Sequence, residues 1–163
     1  MQRYRFMVDP YKFSIAAATS AAFFILGAAV AFNARYGSMI IFWLFGALFA
    51  WVAWLNGSSV VLTPEGVSLY FFSHCRKSCK WEELQEIGAI GTKVLRQKNK
   101  DDAGRLEIYF STKEMNDDER RAMALQWPPK DMIYMLYQKN RMDAVQILSD
   151  AHIHLYNTGH LHF

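Results

Sequence analysis

Residues Phe13 to Phe32 read FSIAAATSAAFFILGAAVAF, twenty positions without a charge. At about 1.5 Å per residue, a helix of that length covers roughly 30 Å, the hydrocarbon thickness of a bilayer. Met39 to Leu55, MIIFWLFGALFAWVAWL, supplies seventeen more uncharged residues, a short but very apolar span. The intervening NARYGS has room only to reverse the chain, and Asn33 and Gly37 suit a helix end and a turn. The pattern predicts an antiparallel transmembrane helical hairpin with spans at 13–32 and 39–55. Two other readings compete. A basic leader with small residues at Ala31 and Ala34 fits a cleaved signal peptide, but the apolar run is long for one and a second span follows at once. Two buried helices of a soluble protein would need polar outer faces, and neither stretch has one.

Outward from the spans the chain changes character. Over all 163 residues the mean hydropathy is only −0.03. Between Phe13 and Leu55 the sole charge is Arg35, whereas from Asn56 onward 14 basic residues face 14 acidic ones. The net charge of +3 is therefore Arg3, Arg5, Lys12 and Arg35 less Asp9. A neutral polar part excludes nucleic-acid binding driven by global charge. An aromatic fraction of 15% excludes a disordered chain. Arg3, Arg5 and Lys12 precede the first span, so the positive-inside bias puts the N-terminus, and with it the part after the hairpin, in the cytoplasm. Tyr4, Phe6 and Tyr11 before the first span, with Trp51 and Trp54 at the end of the second, fit the inner aromatic belt. Gly27, Ala28, Ala31 and Gly46, Ala47, Ala50 would let the two helices approach closely. No ionisable residue lies inside either span, which argues against a proton or ion pathway.

Residues 57–111 read as short strands between turn signals: Ser58–Thr63, Val67–Phe72, Cys79–Glu82, Glu86–Val94 and Arg105–Ser111. Pro64-Glu65-Gly66 makes a tight turn, with Gly66 at a left-handed position, and His74–Ser78 makes the next. Glu114–Gln126 has acids early and Arg120 and Arg121 later, as a helix dipole prefers. Pro128 and Pro129 stop it. Met132–Tyr137 reads as a last strand, and Asn140 to about His152 as a closing helix with Asn140 as N-cap.

Two spans, a Thr-Pro-Glu-Gly-Val hairpin at 63–67 and Lys80-Trp81-Glu82-Glu83-Leu84-Gln85-Glu86-Ile87 together resemble bacterial PH-like (pleckstrin-homology-like) proteins of the YcxB-like type. The resemblance implies an α+β chain: a transmembrane hairpin over 1–56, a small PH-like antiparallel β-barrel or sandwich over 57–155 and a tail at 156–163. The helix from Asn140 would plug one end of the barrel. The family offers no catalytic residues to carry over. The helix at 114–126 departs from its pattern and leaves strand order around it open.

Catalytic motifs are absent: there is no G-x-S-x-G, P-loop, H-E-x-x-H or G-x-G-x-x-G. Asp101-Asp102 and Asp117-Asp118-Glu119 read as solvated surface. Cys75 and Cys79, flanking Arg76-Lys77-Ser78, would face each other across a hairpin mouth and stay reduced in the cytoplasm. With His74 they make a weak zinc spacing. His152, His154, His160 and His162 read as a solvated tail rather than a metal site. No metal or cofactor is expected.

The basic residues carry a sharper expectation. The first strand leaves the membrane, so the turn at Pro64 is distal and the turn bearing Arg76 and Lys77, with Lys80 nearby, returns towards the bilayer. A further passage brings Arg96, Lys98, Lys100 and Arg105 to the same rim. Each Lys or Arg beside an anionic leaflet contributes about 1 kcal/mol. Arg76, Lys77, Lys80, Arg96, Lys98 and Lys100 are therefore candidate contacts with anionic lipid headgroups. The hairpin at 63–66 is acidic, which disfavours an inositol-lipid site there. Trp127 beside Pro128-Pro129 is a candidate anchor for a protein partner, the alternative being that it packs on its own domain. The resulting expectation is a membrane-anchored, non-enzymatic adaptor at the inner leaflet. The alternative is an accessory subunit of a transporter or other membrane complex that binds through the hairpin.

Overall fold

The computed structural model describes residues 3–32, 36–92 and 105–149, and the backbone of 154–155. Tyr4–Met7 forms strand β1, an element the sequence pattern did not signal. Its side chains alternate: Tyr4 and Phe6 stack with ring centroids 6.2 Å apart, and Arg5 points the other way to donate to Ser59 Oγ at 3.0 Å. Helices α1 (Pro10–Phe32) and α2 (Tyr36–Leu55) follow. The chain divides into two compact units, Met7–Ser58 and Met1–Phe6 with Ser59–Phe163.

The first unit is the helical hairpin. Proline at the first helical position suits α1, because its missing N–H would have had no partner there. Asp9 caps it, accepting from the Lys12 amide at 3.1 Å. Asn56 closes α2, donating its side-chain amide to the Val52 carbonyl at 2.8 Å. Both helices are long and apolar enough to cross a membrane, with mean hydropathies of 2.1 and 2.0, and only 17% and 11% of their most apolar windows are buried. Between them, Ser20 Oγ donates to the Gly46 carbonyl at 2.8 Å. Trp43 occupies the space a side chain at Gly27 would fill, 2.5 Å from such a Cβ at its Nε1. Phe23 stacks on Phe45 and Phe49 at 5.5 and 5.7 Å. Gly27 and Gly46 are buried as the small-residue pattern requires, but Ala47 and Ala50 are exposed. At the open end, the Val8 amide donates to the Ser58 carbonyl at 3.0 Å.

The second unit holds two four-stranded sheets. In the first, β2 (Ser58–Thr63), β3 (Gly66–Phe71) and β4 (His74–Lys80) extend β1 in the order β1-β2-β3-β4. The second sheet consists of β5 (Glu86–Thr92), β6 (Arg105–Ser111), β7 (Ile133–Leu136) and β8 (His154–Leu155) in the order β7-β6-β5-β8. It is antiparallel except for β8, which runs parallel to β5. The fold is α+β as expected, but among the described residues the strands do not close into a barrel. Buried Ile87, Ala89, Ile108, Phe110, Ile133 and Met135 alternate along the second sheet and share one face. Trp81 lies 6.3 Å from Phe110 on that face and donates its indole N–H to the Thr63 carbonyl at 2.8 Å, tying the two sheets together.

Several local expectations differ from the structure. The turn expected at His74–Ser78 is Phe72-Ser73, so His74 to Ser78 all belong to β4. Trp81–Glu83 is a 3₁₀ turn rather than part of a strand. Gly66 lies outside the left-handed region; it is needed because a Cβ there would run into the Cys79 carbonyl and come 2.8 Å from Lys80 Cα. The closing helix, α4, spans Lys139–Ser149, and the Gln138 carbonyl, not Asn140, starts it by accepting from Arg141 and Met142 at 3.0 Å each. The inserted helix, α3, spans Asp117–Leu125, with Asn116 and Glu119 forming a reciprocal capping box. A Gly66→Ala chain should lose about 1–3 kcal/mol through this backbone clash; thermal unfolding of the full-length protein in detergent, followed by circular dichroism, reads the loss.

Candidate functional site

The expected basic contacts are spread along β4. Arg76 sits at a register shift between β3 and β4 and lays its guanidinium over the Phe71 ring, 4.3 Å from the centroid. Lys77 Nζ donates to the Asp131 carbonyl just before β7. Lys80, exposed, ends the strand, and its amide donates to Glu83 Oε2 at 3.1 Å. Arg96, Lys98 and Lys100 lie outside the described residues. The structure thus puts Arg76, Lys77 and Lys80 on one strand, with the Arg76 and Lys77 side chains already engaged with neighbours of their own.

The cysteines do not face each other across a hairpin. Both lie on β4, where Cys75 opposes Tyr70 and Cys79 opposes Val67. They are free thiols, Cys75 exposed and Cys79 buried. Among the described residues no three His, Cys, Asp or Glu side chains gather as metal ligands. His152, His160 and His162 lie outside the described residues, as does the His154 side chain.

Trp127 follows α3 and is half-buried, edge-on to Tyr134 of β7 with centroids 5.0 Å apart. It flanks a cluster of Ile90, Tyr109, Met115 and Met123. Its ring is thus built into the contact between α3 and the second sheet.

Under that contact lies a cluster that sequence reading does not reveal. Glu86 opens β5 and is 3% exposed. Arg120 of α3 grips it with two hydrogen bonds, Nε to Oε1 at 2.9 Å and Nη2 to Oε2 at 3.1 Å. The Tyr109 hydroxyl also donates to Oε1, and the Met115 amide donates to Oε2 at 2.9 Å. Arg120 Nη1 reaches on to Asp117 at 2.7 Å. Gly88 makes the arrangement possible: it pairs with Tyr109 across the strands, and a Cβ there would stand 2.5 Å from the hydroxyl.

Burial alone would raise the Glu86 carboxyl, but the Arg120 bonds, the Tyr109 hydroxyl and the Met115 amide outweigh it and hold it below its ordinary 4.5. Burial, and then the adjacent carboxylate, push the Tyr109 hydroxyl far up, so it stays protonated and donating. Four donors fill the four acceptor positions of the carboxylate. Glu86 is thus built to hold α3 on the sheet, with no lone pair left to take a proton from a substrate.

A scan against family models finds no match, and neither do searches of curated proteins and of solved structures.

Two outcomes follow from the clasp. Because the folded carboxyl titrates below its unfolded value, its contribution to stability is complete above about pH 4.5 and is lost as pH falls through the folded value. Thermal midpoints measured from pH 6 down to pH 3 should fall less steeply in Glu86→Gln than in the parent chain. Arg120→Ala should cost about 3–5 kcal/mol by stranding a buried carboxylate. Asp117→Ala, whose side chain is 93% exposed, should cost under about 1 kcal/mol in the same denaturation series.

Proposed function

We propose that the chain is an integral membrane protein that holds a non-enzymatic PH-like binding module at the cytoplasmic face of a bilayer. The observation that carries this reading is the pairing of β1 with β2. These strands flank the two apolar helices in sequence and lie side by side in one sheet. A chain that leaves a sheet, crosses a membrane twice and rejoins the same sheet keeps that sheet on one side.

The excess of Arg3, Arg5 and Lys12 over the single Arg35 supports a cytoplasmic side. A two-sheet β unit with a helix after β7 supports the PH-like reading, and a carboxylate committed to structure supports a binding role over a catalytic one. The exposed strand β4, an edge of its sheet with Arg76, Lys77 and Lys80, suits recognition of an acidic segment or surface.

Protease added to intact cells expressing the full-length chain should leave the β unit whole, and digestion should follow only after lysis. Crosslinking in the same membranes should capture a partner through the β unit. Digestion of the β unit in intact cells would overturn the orientation. Capture solely through α1 and α2 would overturn the adaptor role.

A further inference from the structure

The β3–β4 turn is built unlike an ordinary hairpin turn. Phe71 pairs with His74, leaving Phe72 and Ser73 as the two turn residues. Phe72 has a φ of 53°, the one positive φ among the described non-glycine residues. A positive φ at the first central residue alone marks a type II′ turn, and that position ordinarily holds glycine. An aromatic residue in the left-handed region is a local misfit of the kind kept for function. Phe72 is also 38% exposed; among the described residues outside α1 and α2, Leu125 and Ile147 are the other exposed large apolar side chains.

Basic groups frame this tip from β4 and, across β2, from β1. Phe71 and Phe72 meet edge to face at 5.1 Å, and the Arg76 guanidinium covers the Phe71 ring. From β1, Arg5 Nη2 donates to the Phe72 carbonyl at 2.5 Å while its Nε holds Ser59. Arg5 and Ser59 belong to the end of the sheet where the chain departs for α1 and returns from α2. Val8 and Asp9 alone separate β1 from α1, and Asn56 and Gly57 alone separate α2 from β2.

We propose that the Phe71-Phe72 tip is a third membrane contact: Phe72 enters the headgroup layer of an anionic bilayer, and Arg5 and Arg76 pair with lipid phosphates beside it. The inference rests on the membrane-spanning reading above. It favours a bilayer over a protein partner because the tip lies at the tethered end of the sheet. There aromatic rings partition to the interface and guanidinium groups meet anionic headgroups.

The test uses the full-length chain in vesicles of phosphatidylcholine with phosphatidylglycerol. Phe72→Cys and Glu65→Cys are each spin-labelled in a Cys75→Ser background; Glu65 lies in the β2–β3 turn at the opposite end of the sheet. The label at 72 should collide more often with oxygen than with an aqueous nickel chelate, and the label at 65 should show the reverse. Arg76→Glu should raise nickel access at 72 several-fold. Phe72→Gly, which suits the turn, should leave amide exchange of the hairpin no faster in detergent but make it several-fold faster in anionic vesicles. Equal nickel access at 72 and 65, or exchange in Phe72→Gly that is no faster in the vesicles, overturns the tip contact alone. A chain that fails to float with vesicles after an alkaline wash overturns the spanning reading, and the tip contact with it.

Discussion

The structure depends on a strand pair formed across a helical hairpin. β1 is only four residues long, and by itself so short a strand has little stability. Its partner β2 lies beyond both apolar helices in sequence, so the pairing forms only when α1 and α2 run antiparallel and bring their outer ends together. The Val8–Ser58 backbone bond closes the hairpin at its open end. Inside it, Ser20 satisfies a helix carbonyl and Gly27 and Gly46 admit aromatic rings. In a bilayer, where no hydrophobic force draws helices together, such close packing and interhelical hydrogen bonding are what hold them.

A second constraint organises the second sheet of the β unit. α3 carries polar residues, and apolar area alone would hold it weakly. Glu86, Tyr109 and Arg120 fix it through a fully satisfied buried network, with Gly88 leaving the room the tyrosine needs. Such a network contributes little net stability beyond an apolar core of the same volume, because both charges must lose water. Its effect is on geometry: guanidinium and carboxylate meet in one fork-on-fork arrangement, so α3 has one seat.

How much was legible in the sequence follows from how local each constraint is. The two long apolar helices were readable because length and the absence of charge are both written in consecutive residues. Most strands of the β unit and both of its helices were readable from periodicity and caps. β1 was not, because Tyr4-Arg5-Phe6 satisfies the pattern of an interfacial belt as well as that of a strand, and its partner is more than fifty residues away. The β3–β4 turn was placed late because Phe72 occupies a position where glycine would have signalled it. Of the candidate contacts, Arg76 and Lys77 come together on β4, and Trp127 sits half-buried against Tyr134. The Glu86 clasp gave no local signal, since its members come from β5, β6 and α3.

The central claim is that both flanks of the helical hairpin share one side of a membrane. It is tested most directly by single cysteines at Arg3, Gly37 and Asp118 in a Cys75→Ser, Cys79→Ala background, probed with a membrane-impermeant maleimide on sealed vesicles of known orientation. The account predicts that positions 3 and 118 label from one face and position 37 from the other. Labelling of 37 and 118 from the same face, or of 3 and 118 from opposite faces, would contradict it.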